Sequence, residues 1–175
     1  MSSYEQAIAK TELWEGGYSN NPSDSGGETY RGISRNNWPN WSGWVVIDED
    51  KSQPFFPATL DGNSSLQAAV VDFYRQNFWN GYEGINNQDV ANKVFDLSVN
   101  VGTRHAVSIA QIAAGCSVDG KYGPNTQAAI NSHLNGSLLP KIEAAAEQYY
   151  RAIVASNPQD ARFLKDWIRR ASSNS

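Results

Sequence analysis

The chain has 175 residues, 40 % hydrophobic and 18 % charged, the profile of a globular domain and not of a disordered segment. A net charge of −4 is a poor balance for gripping nucleic acid by its phosphates, so no nucleic-acid partner is expected. No apolar run is long enough to span a bilayer, the lone Cys116 has no disulfide partner, and the distant His105 and His133 offer no metal cluster, so neither metal nor cofactor is expected.

The segment Met1 to Gln6 lacks a basic region followed by an apolar core, so no secretory signal is expected. Residues 3 to 15 read as a helix. Ser3 and Gln6 match a capping box, Tyr4, Ile8, Thr11 and Glu15 fall on one face, and Gly16-Gly17 stops the helix. Glu15 thus ends an apolar stripe, where burial disfavours the charged carboxylate. Residues 18 to 33 are turn-rich and predict a small hairpin or ordered loop. Within them Asp24 sits among Asn, Ser and Gly, surroundings that keep a carboxylate ionised, and Thr29 is placed to hold a water beside it. One protonated and one ionised carboxyl is what glycosidic cleavage needs. By spacing alone, a turn-forming Asp24 and a satisfied helix-terminal Glu15 are the favoured explanation, since acids near glycines are common. Tyr18 is a candidate to hydrogen-bond Glu15 or to stack on a sugar.

Residues 38 to 63 read as irregular. Trp38, Trp41 and Trp44 there suit either a saccharide platform or packing, and the acidic run 48–50 reads as a solvated loop. Helical periodicity returns at Ser64, with Ser64 and Gln67 as a second capping box and Leu66, Val70, Phe73 and Asn77 on one face down to Trp79. A helix over roughly 88–101 carries Val90, Val94, Leu97 and Val101 in step. Asp96 and Asn100 share another of its faces, positioned to contact a sugar together or to bridge neighbouring helices. Thr103 is the expected cap of the next helix, which runs to Gly115, and Val118 to Pro124 is a tight turn with Pro124 opening a helix. Two more helices part near Asn157-Pro158. Arg162, Lys165, Arg169 and Arg170 give the last a basic patch, read as a solvated face. The class is mainly α. No flexible linker interrupts the chain near residue 100, so a region 1–95 and a region 96–175 are expected to pack as one unit.

Trp14-Glu15-Gly16-Gly17-Tyr18, followed by Pro22-x-Asp24-x-Gly26-Gly27-x-Thr29-x-x-Gly32-Ile33, resembles the N-terminal signature of the glycoside hydrolase family 108 N-acetylmuramidases. The likeness extends through Phe95 to Gly102, through Val118 to Thr126, which is similar to a C-terminal peptidoglycan-binding region, and through Phe163 to Arg170. It implies a lysozyme-like helical fold and a monomeric enzyme acting on peptidoglycan glycan strands. Glu15 would be the general acid, with Asp24, Tyr18 and Thr29 in support. It also implies a phage endolysin, made in the cytoplasm and acting on periplasmic peptidoglycan after holin-dependent release or another non-classical export. A lytic transglycosylase and a non-catalytic peptidoglycan-binding module are the alternatives.

Overall fold

The computed structural model describes residues 1–11, 16–21, 26–134 and 136–173. The chain sorts into two units, Glu12–Asn77 and Phe78–Ser175 with Met1–Thr11. Among the described residues it is mainly α with one small sheet, as the sequence predicts.

In the unit Glu12–Asn77, β1 (Tyr18–Ser19), β2 (Thr29–Tyr30) and β3 (Ile33–Ser34) form an antiparallel sheet in chain order, with Tyr18 opposite Tyr30 and Ser19 opposite Thr29. The hairpin expectation for 18–33 is met here. Arg31 and Gly32 join β2 to β3 with φ of +44° and +77°, the two left-handed residues that a tight hairpin requires. Glycine accepts that backbone freely and arginine does not. The Tyr74 hydroxyl donates to the Arg31 carbonyl at 2.6 Å and holds the turn against the helix Ser64–Phe78.

The stretch expected to be irregular contains α2 (Gly43–Asp50) and a 3-10 turn, Ala58–Gly62. Helix α2 buries only Gly43, Trp44 and Ile47 and ends in its acidic run, too few apolar positions to give a periodic signal. Helix α3 (Ser64–Phe78) buries Leu66, Val70 and Phe73, the predicted face, together with Tyr74. Its cap lies one residue before the expected Ser64. The Asn63 Oδ1 accepts from the Leu66 N–H at 3.1 Å, and asparagine is as good a cap as serine. Gln67, freed from capping, donates to the Tyr30 hydroxyl (2.8 Å) and the Leu60 carbonyl (3.0 Å) and ties α3 to β2.

In the other unit α1 (Tyr4–Thr11) packs on α4 (Gln88–Val101). The Ser3 Oγ accepts from the Gln6 N–H at 3.3 Å as predicted. The reciprocal half of the box is made by Gln88, whose Oε1 accepts from the Ser3 N–H at 2.7 Å and whose Nε2 donates to the Ser3 carbonyl. Residues 91–98 of α4 are all buried, because α1, α5 (Thr103–Ala114), α7 (Leu139–Ser156) and the 3-10 turn Tyr82–Gly84 surround it. Polar side chains at that depth need partners. Ser98 donates to the Val94 carbonyl, and Lys93 donates to the carbonyls of Arg170 (3.2 Å) and Ser173 (2.7 Å). Tyr4, Trp79, Tyr82 and Phe95 add an edge-to-face cluster with centroids 5.5–5.8 Å apart. Buried side chains of this size each stabilise by about 1.5–3 kcal/mol.

Gly102, φ +84°, caps α5, and Thr103 is its first helical residue with no capping bond, contrary to expectation. Gly115 closes α5 in the left-handed conformation and Pro124 opens α6 (Pro124–Asn131), both as predicted. Helix α8 (Ala161–Ser172) packs on α7 after the break at Asn157–Pro158, with Tyr150 and Trp167 ring centroids 5.5 Å apart. Helix α4 runs unbroken through the expected boundary at 95/96.

Candidate active site

Glu15 and Asp24, the expected acid and its partner, lie outside the described residues. β1 begins just after Glu15-Gly16-Gly17, and the chain between β1 and β2 contains Asp24. Thr29, in β2, is half-buried, and its Oγ1 donates to the Gly27 carbonyl at 3.1 Å. Its one hydroxyl proton is thereby committed, leaving lone pairs that accept from a further group.

Tyr18 lies in β1 and is half-buried. It donates to Glu28 Oε1 at 2.9 Å, and its ring meets Phe56 edge-on at 4.8 Å. Burial, then the bond to Glu28 and its negative charge, raise the Tyr18 phenol above its ordinary value, with Lys51 and a hydrogen bond from Asn20 opposing.

Glu28 organises this corner, and nothing in the sequence singled it out. Its side chain is 10 % exposed and pairs with Arg35 Nε at 2.7 Å and Lys51 Nζ at 2.8 Å. Both cations also reach Asp48: Arg35 through two bonds of 3.0 and 2.7 Å, and Lys51 at 2.7 Å. The Arg35 guanidinium lies 4.4 Å from the Trp44 ring centroid, an added attraction. Hydrogen bonds from Arg35 and then Lys51 hold the Asp48 carboxyl down at about 2. For Lys51, burial pulls the ammonium down, and its bonds to Asp48 and Glu28 more than offset this and leave it raised. The run 48–50 is therefore the end of α2 and part of an ion network, not a solvated loop. The only sequence signal for Glu28 was its position beside Thr29 inside the motif.

Asp96 and Asn100 belong to the other unit, and their side chains bridge helices. The Asp96 carboxylate is 2 % exposed and takes three hydrogen bonds of 2.9–3.4 Å from Arg170 of α8. The Asn100 Nδ2 donates to the Tyr150 hydroxyl of α7 at 2.6 Å. So enclosed, the Asp96 carboxylate makes the bridge between helices that was one of its two readings. Asn100 spends its amide on Tyr150. Arg170, read as part of a solvated basic patch, is the half-buried partner of Asp96, its side chain 16 % exposed.

The turn after α5 is built on Gln111, which is 1 % exposed. Its Oε1 accepts from the backbone N–H groups of Asp119 and Gly120, and the two hydrogens of its Nε2 are shared among Asp119 Oδ1, Thr126 Oγ1 and the Lys121 carbonyl, all at 2.7–3.2 Å. Of the three tryptophans, Trp44 is buried and Trp41 half-buried, while Trp38 remains 39 % exposed. No cluster able to hold a metal occurs among the described residues.

Residues 8–102 match the family model Glycosyl hydrolase 108, and residues 105–172 match the one described as Predicted Peptidoglycan domain. Among solved structures the chain is similar to SagA of Brucella abortus at 21 % identity and a TM-score of 0.62, covering 98 % of this chain and 95 % of that one. At that identity the likeness is one of fold. A comparison with curated proteins finds no match. No helix among the described residues is long and apolar enough to cross a membrane. The first match spans more than half of the chain and includes the whole Glu15 to Thr29 motif, and the second adds the wall polymer as substrate class. The chain belongs to glycosyl hydrolase family 108: it is a glycoside hydrolase of lysozyme-like, mainly α fold that acts on peptidoglycan.

Proposed function

We propose that the chain is an N-acetylmuramidase that hydrolyses the β-1,4 bond between N-acetylmuramic acid and N-acetylglucosamine. Glu15 is the general acid and protonates the leaving oxygen, and Asp24 stabilises the oxocarbenium charge or activates water. The observation that carries the reading is the coincidence of motif and topology. In the sequence Glu15 stands three residues before β1, Asp24 falls between β1 and β2, and Thr29 opens β2, all inside the family match.

The Thr29 hydroxyl gives this arrangement a direction. With its proton on Gly27, it receives a hydrogen from a water whose other hydrogen goes to Asp24. The lone pairs of that water then face the anomeric carbon. Tyr18 acts as a positioning residue, its hydroxyl fixed on Glu28.

Glu15→Gln keeps the side-chain volume and removes the proton that cleavage requires. The expected result is loss of peptidoglycan solubilisation by at least about a hundredfold with an unchanged thermal unfolding curve. A Glu15→Gln variant that solubilises wall at the parent rate overturns the assignment. The biological role we assign is that of a phage endolysin. Its expression inside a Gram-negative host should lyse cells only when a holin is supplied.

A further inference from the structure

Within the unit Glu12–Asn77 a cavity of about 440 Å³ opens between residues 37–42 and the C-terminal turns of α3, inside the roughly 300–1,000 Å³ span of small-molecule sites. Its walls combine aromatic faces, from Trp38, Trp41 and Phe73, with the amides of Asn37, Asn40 and Gln76. Among the described residues no carboxylate and no cation lines it. An anionic ligand would find no counter-charge there, and a cation no ligand set. A neutral ring with a C–H face and several hydroxyl or acetamido groups fits both kinds of wall.

The walls are set before any ligand arrives. Trp41 Nε1 donates to the Ala69 carbonyl at 3.3 Å, and its indole lies over Gly43 so closely that a Cβ there would collide with it. The Trp38 N–H donates to the Ser34 carbonyl at 2.9 Å, its carbonyl accepts from Trp44 Nε1 at 2.8 Å, and its ring meets Phe73 edge-on at 4.9 Å. An indole held this firmly yet 39 % exposed contributes little to a core and is ready for contact. The side-chain amides of Asn37, Asn40 and Gln76 make no hydrogen bond to the described residues, so their donors and acceptors are open to a ligand.

We propose that this cavity is a saccharide subsite for a neutral N-acetylglucosamine unit of the glycan strand, which lacks the lactyl carboxyl of muramic acid. The inference rests on the reading of the chain as a glycan-cleaving enzyme.

The test is calorimetric titration of the full chain with the N-acetylglucosamine trimer. The parent should bind, Trp38→Ala should weaken binding about five- to tenfold, the size of one aromatic face, and Phe163→Ala, an exposed aromatic on α8, should bind as the parent does. If Trp38→Ala does not fold, Gln76→Ala reads the same site, because this exposed amide has no bond to lose. A trimer that fails to bind a parent active on peptidoglycan overturns the subsite and leaves the activity standing. Equal affinity in both cavity variants does the same. A parent inactive on peptidoglycan that still binds the trimer in a Trp38-dependent way overturns the activity and leaves the subsite.

Discussion

Glu28 shows how much of this site depends on one side chain. Two cations and a phenol converge on its carboxylate, and an amide in its place removes the counter-charge and one of the two acceptor oxygens. Glu28→Gln should lower stability by about 1.5–3 kcal/mol, read in chemical denaturation. An unchanged midpoint would mean that Arg35 and Lys51 are satisfied by Asp48 alone. The same network makes a prediction about pH. The folded-state value of Asp48 is held at about 2, below the ordinary 3.8, so the fold favours the ionised carboxylate. The stabilisation is therefore complete above about pH 4 and lost as pH falls through about 2. The Asp48 carboxyl carbon resonance should titrate near 2, and Arg35→Gln should move it back toward 3.8. A parent midpoint near 4 would contradict the network. At this scale the sequence was readable only where a motif spoke. Thr29 and Tyr18 were marked by their neighbours. Glu28 was not, because Arg35 and Lys51 meet it only through the fold, and no spacing rule connects them.

Elements were readable where one face is apolar and the ends carry their own signals. The predicted helix over 88–101 coincides with α4, and Gly115 and Pro124 punctuate α5 and α6 as expected. Helix α2 was missed because its burial rests on Trp44 and Ile47 alone. Two caps shifted by one residue, from Ser64 to Asn63 and from Thr103 to Gly102, where neighbouring residues competed for one role. Asp96 was ambiguous for a different reason. A polar position on an amphipathic helix reads as exposed until α8 is known to cover it. Arg170→Met should leave that carboxylate buried and unpaired and cost about 3–5 kcal/mol. The melting temperature should drop sharply, with kcat per folded molecule unchanged. A fall in kcat at full stability would instead give this pair a part in the chemistry. Gly43→Ala should displace Trp41 from over α2 and destabilise by about 1–3 kcal/mol.

At the scale of the whole molecule the two family matches meet at residues 102–105, yet the structure does not divide there. α4 belongs to the first match, α5 and α7 to the second, and the three pack together within one unit. The peptidoglycan domain therefore shares its core with the hydrolase match. Neither 1–104 nor 105–175 should unfold cooperatively when made alone, because each would expose the buried faces of α4 or its neighbours. A sharp thermal transition in isolated 105–175 would refute this. The sequence carried the mainly α class and the lack of a flexible linker. It could not show that α1 joins the C-terminal helices, a contact between distant segments that local periodicity does not encode.

The most direct measurement of the central claim is mass spectrometry of the soluble fragments released from purified Gram-negative peptidoglycan by the intact protein. Fragments ending in reducing N-acetylmuramic acid are the predicted result. Fragments ending in 1,6-anhydro sugars would contradict hydrolysis at this bond and remove the water-holding role from Asp24 and Thr29. Protein that stays bound to wall without releasing any fragment would contradict catalysis itself.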